Sequence, residues 1–217
     1  MKGFNLLGLL FLTTLFTISC SSDSYRYPSV RLELVRVSVV EPGVIDSVYL
    51  DSGEAYEVVE NKQTGLDLKQ GLLRAISYIS ISSSKQAVLH SLRPIPIYEA
   101  VEAASYPEDS VNDPVRYQRI WKGGGYLNFE LLIKATSLSE HEFAFTEEIE
   151  VDHLNKATIK LKLYHLQNND LPRYTHNYLL SLPIEKYYTQ LNRDEFTIKV
   201  VILTDEGEEQ INIECKR

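Results

Sequence analysis

Methionine is absent after the initiator, tryptophan occurs once, and the only cysteines are Cys20 and Cys215. Two thiols at opposite ends of the chain exclude a disulfide framework of the kind that staples small secreted domains. Basic residues are scarce: 22 Lys and Arg against 30 Asp and Glu leave a net charge of −8. A nucleic-acid surface needs a basic face, so nucleic acid is not expected as a partner. The spacings that build reactive sites are also missing. The serines of 77–84 sit in no Gly-x-Ser-x-Gly elbow, and no Cys-x-x-Cys pair exists. Gly123-Gly124-Gly125 precedes no Lys-Ser pair, so it reads as a hairpin and not as a phosphate cradle. Neither a cofactor, a metal site nor an enzymatic activity is expected.

Long apolar runs are confined to Phe4–Phe16, which is too short for a resident membrane helix. Lys2 precedes that run, and Thr17-Ile18-Ser19-Cys20 closes it, followed by Ser21-Ser22-Asp23. This is the layout of a signal peptide. A small residue before a cysteine resembles the lipobox of bacterial lipoproteins, with Thr17 standing where leucine is usual. The resemblance implies a signal peptide over 1–19, acylation of Cys20 and a tether over 20–28. Several acyl chains, at roughly 0.8 kcal/mol per buried methylene, make a stable membrane anchor. Removal of 1–19 also removes Lys2, so the exported chain is more acidic still and the lipid must do the anchoring. Ser21, where retention in the inner membrane often uses aspartate, points to the outer membrane. Periplasmic and surface-facing placements both fit Ser22-Asp23.

The full chain is 44% hydrophobic, 24% charged and rich in tyrosine, with 14. That is globular composition with a β bias. Val30, Leu32 and Leu34 alternate with polar residues, and then Val35, Val37 and Val39 do so in the opposite phase. A phase slip of this kind predicts a β-bulge. Further alternating stretches at 44–50, 55–59, 72–82 and 87–92 predict a small OB-like β-barrel over 29–103. Pro94 and Pro96 mark an edge or an exit. Residues 104–116, with Pro107, Asp109, Asp113 and Pro114, read as a linker. Beyond it the period of two is regular: Leu127–Ala135, Phe143–Phe145, Ala157–His165, Tyr174–Leu182, Phe196–Ile202 and Ile211–Cys215. About seven strands in such a length predict an immunoglobulin-like antiparallel β-sandwich over 117–217. Ile184–Leu191 carries one or two helical turns, and Cys215 reads as a small apolar core residue.

The lipobox, the Leu50-Asp51-Ser52-Gly53 and Lys69–Arg74 stretches, Trp121, Tyr126-Leu127-Asn128, Leu163-Tyr164-His165 and Asn169-Asp170 together resemble the NigD-like lipoproteins. The resemblance implies an OB-like first domain, an immunoglobulin-like second domain and an envelope location. The family's name comes from a bacteriocin gene cluster, which implies an immunity-type role. It implies no catalytic residue, and only the acylated cysteine carries over, as Cys20.

Two groups of side chains stand out as candidates. Tyr117, Trp121 and Tyr126, with Tyr106 nearby, could pack one domain on the other or bind a glycan or partner. His165, Asp170 and His176, with Asp152-His153 close in sequence, could meet only if strand register brings them together. The expected function is a non-catalytic, lipid-anchored binding or immunity-type module with a protein partner. The alternative is a glycan or small-ligand binding lipoprotein.

Overall fold

In a computed structural model of the chain, residues 29–63, 65–107 and 109–217 are described. The short alternating stretches of the first half become β1 (Val30–Glu41), β2 (Val44–Leu50), β3 (Ala55–Asn61), β4 (Gly71–Ile81) and β5 (Gln86–Pro94). They close into a barrel in the order β1-β2-β3-β5-β4, with β3 and β5 parallel. Gly53, at φ +93°, makes the left-handed turn after Asp51-Ser52 that β-carbon-bearing residues resist. Val35, Val37, Val48, Ala75, Ile79 and Leu89 fill the interior and are sealed from water. The larger of these contribute about 1.5–3 kcal/mol each by burial.

The phase slip expected in β1 is not a bulge at that point. β1 pairs with β4 without interruption from Val30↔Ser80 to Val39↔Gly71, and its register shifts occur only against β2, after Ser38. Val35, Val37 and Val39 point inward along this unbroken pairing. Val30, Leu32 and Leu34 therefore point out of the barrel, and Val30 and Leu32 are exposed.

The second half is a β-sandwich. Its larger sheet runs β13 (Gly207–Lys216), β12 (Glu195–Thr204), β10 (Ala157–Leu166), β9 (Glu142–Val151) and β6 (Ala100–Glu102). The smaller runs β11 (Tyr174–Pro183), β8 (Tyr126–Ala135) and β7 (Arg116–Gly123). Most neighbours are antiparallel, while β10 with β12 and β6 with β9 are parallel. The two β10 neighbours lie on opposite edges of that strand, so its inward row Ile159, Leu161, Leu163 sits at the centre of the core. The expected helical turns form α1 (Glu185–Leu191), which buries Tyr187 and Tyr188 against Phe196. The barrel and the sandwich each have a hydrophobic cluster of their own. The chain is thus an all-β protein, a small barrel followed by a sandwich.

The division expected at 103, with a linker over 104–116, differs from this arrangement. Ser181 N–H donates to Pro96 O and Tyr98 N–H to Ser181 O, so the chain joins the smaller sheet as soon as it leaves the barrel. β6 then pairs with β9. The polar stretch is bound as well. Asp113 N–H donates to His165 O at 2.7 Å, Asn112 Oδ1 accepts from His165 N–H at 2.9 Å, and Val115 is buried in the sandwich core. Prolines and acids gave this segment the composition of a linker, but its backbone groups find partners along the end of β10.

Candidate functional site

Two clusters of polar side chains lie at opposite ends of β8. The first joins the barrel to the sandwich. Asp51, in the turn after β2, and Arg74, in β4, form a two-point ion pair in which Arg74 Nη2 donates to Asp51 Oδ2 at 2.7 Å. Arg74 is almost wholly buried. Its Nη2 also donates to Asn128 Oδ1 at 3.0 Å, across the junction. The same oxygen accepts from Ser181 Oγ at 2.7 Å, which fixes the orientation of the amide. The guanidinium lies over the ring of Tyr126, 4.7 Å from its centroid. Arg74 Nε, the one buried side-chain polar atom without a hydrogen-bond partner among the described residues, belongs to this covered group.

The triple glycine explains itself here. A β-carbon on Gly123 would stand 2.6 Å from Asp51 Oδ2, and one on Gly124 would strike the same carboxylate. Gly124 and Gly125 also take φ of +60° and +83°. Only a hairpin without side chains lets the Asp51–Arg74 pair approach the sandwich backbone this closely.

The second cluster, beyond the far end of β8, clamps the loop 167–173. Asp170 Oδ2 accepts from the amides of Thr136 at 2.6 Å and Ser137 at 3.1 Å. It also faces His141 Nε2 at 3.3 Å, and His141 Nδ1 lies 2.8 Å from His165 Nε2. His165 Nδ1 in turn faces Asp113 O at 3.3 Å. Asn168 Nδ2 donates to Glu140 O and Glu142 Oε1, and Asn168 and Asn169 take the left-handed backbone that asparagine tolerates. Burial, with His141 beside it, pushes the His165 ring below its ordinary value. Burial pushes the Asp170 carboxyl up, but the Ser137 and Thr136 amides and the His141 ring outweigh it and hold the carboxyl below the usual range.

Chemically this cluster positions a loop. Among the described residues, His165 turns its outer nitrogen to the Asp113 carbonyl and not to a hydroxyl or thiol. Among the described residues no group of three or more His, Cys, Asp or Glu could hold a metal ion. His165 also forms part of the wall of a shallow hollow of about 250 Å³, together with Tyr106, Phe143 and Tyr164.

Of the residues singled out in the sequence, His165 and Asp170 are brought into one cluster, through His141. His176 stands apart and faces Ala135 O at 3.2 Å. Asp152 caps its own turn by accepting from the amides of Leu154 and Lys156. Tyr126 lies under Arg74 at the junction, whereas Trp121 is half-buried with Arg119 stacked 4.3 Å from its ring centroid. Tyr117 is elsewhere, donating to Glu209 at 2.9 Å between β7 and β13. Tyr106 packs on Tyr164. Cys215 is buried, and burial pushes its thiol up to about 11. Cys20 lies outside the described residues. His141 carried no signal in the sequence: it is a single histidine between two glutamates before a strand. Asp51 and Arg74 are 23 residues apart and belong to separate motifs, so nothing local announced their pairing.

The class this fold defines is an all-β protein in which a small closed barrel is clasped to a β-sandwich. The family follows from comparison. A model of the NigD-like C-terminal beta sandwich domain matches residues 97–216, and the chain belongs to the NigD-like family. Among solved structures it is similar to a NigD-like immunity protein from Bacteroides caccae, with 31% identity and a TM-score of 0.69 over 87% of this chain and 94% of that one. A candidate lipoprotein from Bacteroides fragilis shares the fold at 11% identity, with a TM-score of 0.61 over 87% of this chain and 98% of that one. No curated protein sequence matches the chain.

Proposed function

We propose that this chain is a non-catalytic cell-envelope module, anchored through acylated Cys20, that binds a protein partner with the loop 167–173 of its sandwich. The observation that carries this reading is the way the loop is built. Asp170 and Asn168 spend their polar groups on holding it, and Leu171 and Tyr174 are left 56% and 64% exposed at its tip and exit. A rigid loop that presents apolar side chains binds without a large ordering cost. The similar protein from Bacteroides caccae is described as an immunity protein. That supports an immunity-type role, in which the ligand is itself a protein, and the anchor suits the outer membrane.

Crosslinking in living cells, followed by pull-down from the envelope fraction, tests the binding reading. A specific protein should be recovered with the native chain and lost with Leu171→Glu, a substitution at an exposed position that leaves the clamp in place. Recovery of the same partner with both chains would place binding elsewhere. Turnover of an envelope substrate by the purified protein would overturn the non-catalytic reading. Cys20→Ala should move the exported protein to the soluble fraction, and its retention in the membrane would refute the anchor.

A further inference from the structure

We propose that the outer face of β1 and β4 is a membrane-docking surface, lying on the leaflet that holds the acyl chains of Cys20. The inference rests on the anchoring reading above and adds to it an orientation. In that orientation the barrel lies on the bilayer.

The face is built from directly opposed pairs: Val30↔Ser80, Leu32↔Tyr78 and Leu34↔Ile76. Val30, Leu32 and Tyr78 are 45%, 50% and 51% exposed, and Leu34 and Ile76 are half-buried beside them. In an isolated barrel these positions would be expected to carry polar residues, because the inward row Val35, Val37, Val39 already supplies the core. Along the exposed part of the outward rows, from Val30 to Leu34 and from Ile76 to Ser80, the one polar residue is Ser80 and no carboxylate occurs; the next outward position of β4, Arg74, is covered by the sandwich and paired with Asp51. In a chain with 30 acids against 22 bases, an acid-free apolar strip is a local reversal of composition.

Charge and position select the occupant. Arg36 continues the outward row of β1, and Arg93 sits opposite Ile76 on β5. Arginines at the margin of an apolar strip suit anionic headgroups, and an exposed tyrosine suits the interface between headgroup and acyl chain. Val30 stands ten residues after Cys20. Even fully extended, that span reaches roughly 30 Å, at about 3.3 Å per residue. The strip therefore begins within reach of the anchor. A weak apolar contact becomes effective there because tethering makes docking intramolecular.

The test uses the full chain, exported, acylated and extracted, with acylation read by intact mass, then reconstituted in vesicles of phosphatidylethanolamine and phosphatidylglycerol. An environment-sensitive fluorophore is attached to Tyr78→Cys or, as a reference at the far end of the sandwich, to Tyr174→Cys. Cys215 is sealed with its thiol pushed up to about 11, and acylation consumes the Cys20 thiol, so the introduced cysteine takes the label. The label at position 78 should shift to the blue and lose emission when the acyl chains are brominated, while the label at 174 should do neither. Leu32→Glu in the Tyr78→Cys chain should abolish both changes. Equal, water-like emission at 78 and 174 in a chain shown to be acylated overturns the docking surface and leaves the anchor standing. A blue shift without bromine quenching, accompanied by dimers on gel filtration, overturns it in favour of a second copy. An unacylated chain overturns both readings together.

Discussion

Arg74 of the barrel donates a hydrogen bond to Asn128 of the sandwich at 3.0 Å, and on the barrel side the same guanidinium is held by Asp51. This contact crosses the domain junction with one cation, one carboxylate and one amide, all in fixed positions. A buried ion pair of this kind offsets much of its own desolvation, so its contribution is to the angle and register of the two domains more than to net stability.

Arg74→Met should destabilise the protein by about 3 kcal/mol, because it leaves the Asp51 carboxylate without its cation and takes from the Asn128 carbonyl one of its two donors, Ser181 Oγ remaining. Urea denaturation measures it. Adding Asp51→Asn, which removes the stranded charge, should recover part of that loss. A double variant less stable than Arg74→Met alone would show that Asp51 has another role.

Gly123→Ala should lower stability by about 1–3 kcal/mol, the range for forcing extra volume into a packed site. The neighbour it meets is a carboxylate fixed by Arg74, so the obstacle cannot swing aside. Combining it with Asp51→Ala should make the glycine substitution nearly neutral, and a thermal-denaturation cycle of the four chains reads the coupling.

Acid should destabilise the clamp in two stages. The His165 value is depressed in the folded state, so its contribution is complete above the ordinary histidine value near 6.5. As pH falls below that value the unfolded chain takes up a proton that the folded one resists, and stability declines. Asp170 is also depressed, so its contribution is complete above the usual carboxylate range and is lost as pH falls through its folded value. Urea midpoints between pH 8 and 3 should therefore fall first below about 6.5. His165→Gln should remove that first decline, and Asp170→Asn should reduce the second.

Cys215 should resist thiol reagents at pH 8 in the native protein, since burial both seals the sulfur and pushes its value up to about 11. Its labelling rate in mild urea should track opening of the β12–β13 edge. Fast labelling without denaturant would show that this edge opens readily.

The alternation of side chains determined much of the fold by itself. Leu127 to Ala135 and Ala157 to His165 announce strands with one buried face, because a period of two is a local property that any core must respect. The helical turns after Pro183 were equally local. Sequence spacing did not show which strands become neighbours. The parallel pairing of β10 with β12 spans an entire strand and a helix, and it depends on how two sheets share one core. The same is true of the sites. Asp51, Arg74, Asn128 and the glycines at 123–125 are fragments scattered along the chain, and only the docking of barrel on sandwich makes them one clasp. His165 and Asp170 meet only because His141, unremarkable in sequence, stands between them at the start of β9. Val30, Leu32 and Leu34 read as a core row whose phase then slipped. Tertiary structure turned them outward, because Val35, Val37 and Val39 already filled the narrow barrel. Local chemistry settles which residues alternate, and the volume each core can enclose decides which side of the strand faces water.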